Sequence, residues 1–164
     1  LCVMTHFNKK KCTEILEKFH SISPNIRGIF HARIKELIDQ KRFLVSPHGR
    51  RRDFFGRIND SMYRQAFSQI PQATVSDHNK FTILSKLIEK FPAPIAFPVC
   101  ESHDSLTFEV LTEAKERFIE TYSIITQTPI DFRGCSLSRE YDLIIPGEFA
   151  VGEFNWGEMT KWKM

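Results

Sequence analysis

The sequence predicts an α+β fold in which a small, mostly antiparallel sheet packs against helices. Three observations support this class. Apolar residues recur at helical spacing over most of the N-terminal half. Two β-prone runs, PIAFPVC and LTFEVL, then enclose the short polar stretch ESHDS. A further helical pattern and a last β-prone run follow, so helices come first and strands later, as is typical of this class.

Two helices joined by a short link are predicted at the start of the chain. The stretch TEILEKFHSI places Ile15, Leu16 and Phe19 at helical spacing. In the stretch SPNIRGIFHARIKELIDQ, Ser23 is the expected N-cap and Pro24 the first helical residue. The apolar stripe of this second helix consists of Ile26, Phe30, Ile34, Leu37 and Ile38.

A small hairpin or an irregular loop, followed by a long helix, is predicted for the middle of the chain. The β-prone runs RFLVS and RDFFG flank the turn residues PHGR. Asp60 is the expected helix cap, and Pro71, which has no backbone donor, is expected to kink or break the helix. Beyond this proline the apolar face continues through Val75, Phe81, Leu84, Leu87 and Ile88.

The last part of the chain predicts strands, a helix and more strands. After the two strands around ESHDS, the stretch TEAKERFIETYSIIT is an amphipathic helix with Phe118, Tyr122 and Ile125 at i, i+4, i+7 spacing. We expect YDLIIPGEFAVG to close the sheet as strands, and FNWGEMTKWK to form a tail.

Composition limits the class of protein. The 164 residues are 41% apolar and 12% aromatic, which suffices for one hydrophobic core. Lys and Arg exceed Asp and Glu by 23 to 20, a mild excess that favours polyanionic partners. No apolar run reaches the roughly 18 residues of a membrane span, so we expect a cytoplasmic protein with no membrane partner. The first residue, Leu1, indicates a fragment or a processed product.

Cysteine spacing contains no C-x-x-C pair and no regular framework. The thiols are therefore expected to be reduced, as in an intracellular protein, and buried as small apolar side chains. The four residues are Cys2, Cys12, Cys100 and Cys135. A zinc site that combines the first two with His6 and His20 is not expected, because the spacings fit no compact finger pattern.

The carboxylate of Asp104 is the best candidate for a reactive group. A short turn between two strands that we expect to be buried holds its residues rigidly at the edge of a sheet. A fixed surface carboxylate suits Mg²⁺, which prefers one or two carboxylates together with phosphate oxygens. The alternative is that Asp104 only stabilises the turn through a bond to the backbone, with His103 a solvated neighbour.

Two clusters upstream of this turn suit an anionic ligand. Arg50, Arg51 and Arg52 follow a turn glycine, and guanidinium groups bind phosphate oxygens in pairs at any pH. The long helix contributes Arg64, Ser68 and Gln72. These three fall at i, i+4, i+8 spacing on one helical face. The arginine turn is equally consistent with a solvated basic loop.

The stretches GRRR, YRQAFSQIPQATVSD and ESHDSLTFEV, in this order, resemble the C-terminal polymerase region of family A, DNA polymerase I-like enzymes, especially those of phages. GEFNWGEMTKW resembles the C-terminal tail of the phage members, and TEILEKFHSISPNIRGIFHARIKELI is similar to the helices after their nucleotide-binding helix. The resemblance covers about residues 13–164. It implies that residues 1–57 are distal fingers helices with the GRRR loop, and that residues 58–164 are the C-terminal part of the palm, with its sheet.

The resemblance implies a role for each candidate residue. Asp104 stands where the family keeps one of its two metal-binding aspartates, and His103 where it keeps a histidine near the primer terminus. Arg64 and Gln72 match positions that contact the minor groove of the nascent duplex, where every correct base pair offers similar acceptors. The implied cofactor is Mg²⁺ in a two-metal site, at which a primer 3′-hydroxyl attacks the α-phosphate of an incoming nucleotide.

Some features of the family differ here or are missing. Ser105 follows the His-Asp pair where the family commonly has Glu, and Ser68 stands where it commonly has Asn. Glu109 keeps its family place and is interpreted as supporting. No segment like DYSQIELR, which bears the other metal aspartate, and no nucleotide-gripping helix occur in the sequence. We therefore expect a portion of a DNA polymerase that is inactive alone. An N-terminal fragment, or the rest of the chain, would complete it and bind the deoxynucleotide triphosphate, with primer–template DNA as the shared partner.

Two other functions are open at this point. One is a non-catalytic relic of a polymerase that binds duplex nucleic acid, which Ser105 in place of Glu favours. The other is a metal-dependent phosphohydrolase that uses His103 and Asp104. It is disfavoured because the remaining histidines show no paired spacing.

Overall fold

The computed structural model describes residues 7–137 and 143–162, and these form a mixed α+β fold as predicted. Its α-helices are α1 (Lys9–Ile22), α2 (Ala32–Lys41), α3 (Asp60–Asp77), α4 (Ser85–Lys90) and α5 (Lys115–Thr126). Its strands are β1 (Phe43–Val45), β2 (Arg51–Asp53), β3 (Ala96–Ser102), β4 (Ser105–Val110), β5 (Ala150–Val151) and β6 (Thr160–Lys161). Within the described residues the strands form the pairs β1–β2, β3–β4 and β5–β6, so the predicted hairpin around PHGR is confirmed.

Two compact units make up the chain, residues 1–44 with 51–69 and residues 45–50 with 70–164. The predicted division into residues 1–57 and 58–164 stays a prediction. In the first unit Ile34, Leu37 and Ile38 of α2 are buried, which confirms the C-terminal half of the predicted apolar stripe. None of the helices in the described residues is long and apolar enough to cross a membrane.

The first two helical segments begin where capping chemistry places them. Helix α1 starts at Lys9, earlier than predicted, because the side chain of Asn8 accepts a hydrogen bond from the Lys11 N–H at 2.9 Å. The chain leaves the helix at Ser23, and Pro24 is the first residue of the next helical turn, as predicted. A π-helical segment over Ile26–His31 then leads into α2.

Helix α3 corrects two expectations. Asn59, not Asp60, caps its start, since the Asn59 Oδ1 accepts from the Met62 N–H at 3.0 Å and Asp60 is already helical. Pro71 lies inside the helix, so the expected break does not occur, while the expected kink stays a prediction. A π-helical segment over His78–Leu84 joins α3 to α4.

The core of the second unit lies beneath the β3–β4 hairpin. It consists of Ile83, Leu87, Phe91, Ala96, Phe118 and Ile125. The ring of Phe118 lies 5.0 Å from that of Phe91 and 5.1 Å from that of Phe108, measured between centroids. Tyr122 packs against the same cluster, so the predicted apolar face of the helix around Phe118 is confirmed. One face of the hairpin therefore rests on the helices that precede and follow it.

The C-terminal run predicted as strands is mostly irregular. Tyr141 and Asp142 lie outside the described residues, Leu143 forms an isolated bridge to Ile130, and a regular strand appears only at β5. Gly147 explains part of this path, because a Cβ there would lie 2.7 Å from the Tyr122 ring. The predicted tail is partly regular, since β6 pairs antiparallel with β5 after a 3₁₀ turn over Trp156–Glu158.

Candidate metal-binding and nucleic-acid-binding residues

The predicted turn at the His-Asp pair is confirmed. β3 pairs antiparallel with β4, and Ser102 lies opposite Ser105, so His103 and Asp104 form a two-residue turn. His103 has a φ of 53°, a left-handed conformation that histidine adopts more readily than most residues. The Ser105 hydroxyl donates to the Ser102 carbonyl at 2.9 Å and closes the turn. Both His103 and Asp104 are exposed, so the tip presents a carboxylate and an imidazole to solvent.

The expectation that both strands are buried was wrong, because β4 contains no fully buried residue and β3 contains only one. The buried residue of β3 is its first, Ala96, whereas Phe97 and Val99 are 47% and 56% exposed. A two-stranded sheet that packs on one face leaves its other face open. The register also shifts between Pro98 and Cys100, next to a proline that cannot donate to the ladder. Cys100 is exposed, which corrects the expectation that all the cysteines are buried.

The other described cysteines are buried, as expected. These are Cys12 and Cys135, and Cys135 carries a free thiol as Cys100 does. The Cys135 thiol donates to the Val45 carbonyl at 3.2 Å, which ties it to the strand before the arginine turn. Cys2 lies outside the described residues.

Arg50 is engaged with a buried carboxylate. Its Nε donates to the Asp77 Oδ2 at 3.0 Å, and its Nη2 donates to the Asp77 Oδ1. The Asp77 side chain is fully buried, whereas that of Arg50 is 50% exposed. The Ser46 hydroxyl also donates to Asp77, at 3.4 Å. This arginine therefore neutralises an interior charge, although the sequence offers it as a phosphate contact.

The next two arginines form weaker contacts at the surface. Arg51 Nη2 donates to the exposed Asp53 at 2.6 Å. Arg52 donates to the side-chain oxygens of Gln69 at 2.9 Å and Gln65 at 3.1 Å. Both arginines are exposed. Binding of phosphate by this turn stays a prediction, with Arg51 and Arg52 more accessible than Arg50.

The polar residues of α3 differ in exposure. Arg64 and Gln72 are exposed, whereas Ser68 is half-buried and donates its hydroxyl to the Gln65 carbonyl at 3.0 Å. Arg64 and Ser68 belong to the first unit, and Gln72 belongs to the second, which also contains the hairpin tip. Their contact with a DNA minor groove stays a prediction.

Sequence reasoning missed Asp77, which no predicted site includes. The residue has a recognisable signal, because Ile70, Ala73 and Asp77 are spaced i, i+3, i+7 along α3 and all three are buried. An acidic residue on an apolar stripe needs a positively charged or donating partner, since an unpaired buried carboxylate is very costly. The basic turn upstream supplies that partner.

Two histidines that lie close to Arg50 and Asp77 in the sequence, His48 and His78, contact each other. The rings of His48 and His78 are 5.8 Å apart between centroids, and His78 is only 2% exposed. Both ring nitrogens of His78 and the Nε2 of His48 are buried without a hydrogen-bond partner in the described structure. Burial lowers the pKa of His78, and the nearby His48 and Lys86 lower it further.

This burial predicts that acid destabilises the second unit. Because the pKa of native His78 lies below its ordinary value of 6.5, the unfolded chain takes up a proton first as the pH falls past that value. The contribution of neutral, buried His78 to the free energy of unfolding is therefore complete above pH 6.5. It is lost progressively as the pH falls below that value. We expect the free energy of unfolding, measured by denaturant titration, to fall between about pH 7 and pH 5.

His78→Gln should make this decline shallower. It should not abolish the decline, because burial also lowers the pKa of His31 in the first unit. An equally steep decline in the variant would contradict the assignment to His78.

Within the described residues, no three His, Cys, Asp or Glu side chains are grouped closely enough to hold a metal ion. Cys2 and His6 of the disfavoured zinc set lie outside those residues. No protein-family model and no curated protein matches the sequence of the chain.

Proposed function

We propose that this chain is the C-terminal portion of a template-directed DNA polymerase of the family A type. The observation that carries the proposal is the exposed Asp104 carboxylate beside His103 at the tip of the β3–β4 hairpin. A primer terminus must reach a catalytic carboxylate from solvent, and a buried Asp104 would exclude this role. The packed face of the hairpin fixes the root of the turn on the core.

Asp104 suits one half of a magnesium site. A carboxylate oxygen is a hard ligand of the kind that Mg²⁺ prefers, and one or two such groups together with phosphate oxygens suffice for it. When bound, Mg²⁺ would neutralise charge on the reacting phosphate oxygens. The other aspartate and the triphosphate-binding helix would come from an N-terminal fragment or from the rest of the chain. In this arrangement Asp104 holds the metal and His103 contacts the primer terminus.

The exposed side chains of Arg64 and Gln72 supply donors for the duplex. The minor-groove acceptors, N3 of purines and O2 of pyrimidines, occur in every correct base pair, so such donors bind without reading sequence. The exposed guanidinium groups of Arg51 and Arg52 would meet backbone phosphates, a contact that salt weakens.

Primer extension by a mixture of two polypeptides tests the proposal. The second polypeptide is a family A polymerase fragment from the same genome that ends after the nucleotide-binding helix. We expect extension by the mixture in the presence of Mg²⁺, and none by either polypeptide alone. A stable complex, verified by size-exclusion chromatography, that does not extend the primer would contradict the proposal. Extension by the N-terminal fragment alone would contradict it as well.

Arg64→Ala should weaken the binding of primer–template duplex by roughly three- to tenfold, the loss expected for one or two hydrogen bonds. The change is expected to be independent of the duplex sequence, because the acceptors are shared by all base pairs. Fluorescence anisotropy with labelled duplex at low salt measures it. Arg33→Ala is the matched control, since Arg33 is also an exposed helical arginine of the first unit. An equal loss in both variants would reject a specific role for Arg64.

A duplex-binding relic without catalysis is the second candidate. It is favoured by Ser105, which provides a hydroxyl where a second carboxylate would stand beside Asp104. A relic would bind duplex equally well with and without Mg²⁺, and Asp104→Asn would leave its binding unchanged. A polymerase portion should bind duplex more tightly when Mg²⁺ is added, and Asp104→Asn should remove that increment.

A further inference from the structure

Helix α1 carries apolar side chains that the described chain leaves uncovered. Ile15, Phe19 and Ile22 are 37%, 52% and 73% exposed. Cys12 is the residue of α1 that is buried, and its thiol donates to the Phe7 carbonyl at 3.8 Å. Three large apolar residues on one exposed helix face mark an interaction surface.

The spacing of this surface is that of a short coiled-coil seam. Cys12, Ile15, Phe19 and Ile22 follow one another at intervals of 3, 4 and 3 residues, which are the a and d positions of a heptad. Cys12 is buried, so the exposed part of the seam consists of Ile15, Phe19 and Ile22. Lys11 and Lys18 occupy the g positions beside the seam. Glu14 and Glu17 fall at c and f, and Glu14 makes an exposed surface pair with Lys11 at 3.8 Å. Such a surface pair contributes little, so the g flank keeps its basic character, carried most fully by Lys18.

A second copy of this chain does not complement that flank. In an antiparallel helix pair the g positions of the two copies face each other, which places lysine against lysine. In a parallel pair Lys11 and Lys18 would face the e positions, Leu16 and Ser23, which carry no negative charge.

We propose that the exposed seam of α1 docks a helix of a second polypeptide whose own apolar seam is flanked by Asp or Glu. Carboxylates at those positions would pair with Lys11 and Lys18 while apolar side chains cover Phe19 and Ile22. Two heptads are fewer than the three or four of a self-sufficient coiled coil, so the contact forms part of a larger interface. If the partner is the N-terminal polymerase fragment, the inference rests on the proposed function; the helix contact itself does not.

Two labelled probe peptides test the proposal against the full chain. Each has about three heptads with leucine at a and d, and one carries Glu at e and g where the other carries Lys. We expect the Glu-flanked peptide to bind roughly tenfold more tightly at low salt, since two contacts change from repulsion to attraction. The double variant Lys11→Glu/Lys18→Glu should reverse the preference. Fluorescence anisotropy measures both affinities.

The apolar part of the contact has a matched control. Ile22→Lys should abolish peptide binding, whereas Ile124→Lys should preserve it, because both isoleucines lie on helices and are 73% exposed. Equal affinity for the two peptides, or equal loss in the two variants, would overturn the proposal. Self-association that Ile22→Lys removes, or binding of phosphatidylserine vesicles in preference to the Glu-flanked peptide, would overturn it too.

The result is separable from the polymerase hypothesis. Specific peptide binding without primer extension by the mixture would support the docking surface and contradict the polymerase. Unchanged complex formation and extension by an Ile22→Lys chain in the mixture would contradict docking of that fragment on α1, and would leave the polymerase standing.

Discussion

Asp104→Asn is expected to lower primer extension by the two-polypeptide mixture roughly a hundred- to a thousandfold, the loss typical of removing one preorganised electrostatic group from a reacting centre. The amide keeps the shape of the side chain but lacks the charge that binds Mg²⁺. Asp104 is exposed, so the free energy of unfolding should change by less than about 0.5 kcal/mol. Single-turnover extension at saturating Mg²⁺ separates this effect from weaker DNA binding.

The control for this variant is another exposed aspartate of the second unit. Asp131 pairs with Arg133 at 2.7 Å, and hydrogen bonds from Arg133 lower the pKa of Asp131 to about 2. Asp131→Asn should leave extension unchanged. Full activity of the Asp104→Asn mixture would remove the basis of the proposed function, and so would an equal loss in both variants.

Arg50→Ala is expected to destabilise the chain by about 3 kcal/mol. The substitution leaves the fully buried carboxylate of Asp77 without its counter-charge, and breaking a buried pair from one side usually costs about 3–5 kcal/mol. The lower end applies because the Arg50 side chain is 50% exposed, so that water can replace part of its contact. Denaturant unfolding near neutral pH provides the measurement.

Two further variants decide what the Arg50 result means. Arg51→Ala removes an exposed pair with Asp53 and should lower the free energy of unfolding much less than Arg50→Ala does. The double variant Arg50→Met/Asp77→Leu should recover most of the lost stability, because an apolar pair needs no counter-charge. If Arg50→Ala left the free energy of unfolding unchanged, the ion pair would contribute little to stability. The guanidinium of Arg50 would then be available for phosphate.

Local patterns in the sequence predicted most of the fold. The helical stripe of Ile34, Leu37 and Ile38 and the turn at His103 and Asp104 depend on residues close together in the chain, whose spacing determines which side chains share a face. The helix start was misplaced because adjacent Asn59 and Asp60 are equally good caps, and the backbone path into the helix decides between them.

The parts that the sequence did not predict depend on contacts distant in the chain. Among three consecutive arginines, only the folded path of the turn determines that Arg50 meets Asp77. The exposure of Phe97 and Val99 could not be predicted from the sequence either. An apolar strand has the same residue pattern whether or not a second layer covers its other face. Among the candidate residues, the pattern predicted an exposed Asp104 but not which of the arginines already have partners.

The irregularity beside Pro98 has a consequence for the solubility of the chain. An uncovered strand with regular backbone donors is a template on which identical molecules add without limit, and the outer edge of β3 has no partner in the described residues. The bulge next to Pro98 increases the local twist of β3, so this edge does not present a flat, regular row of donors. The irregularity that disrupts the pairing of β3 with β4 therefore also disfavours fibre-like aggregation, although Phe97 and Val99 leave an apolar surface exposed on the same strand.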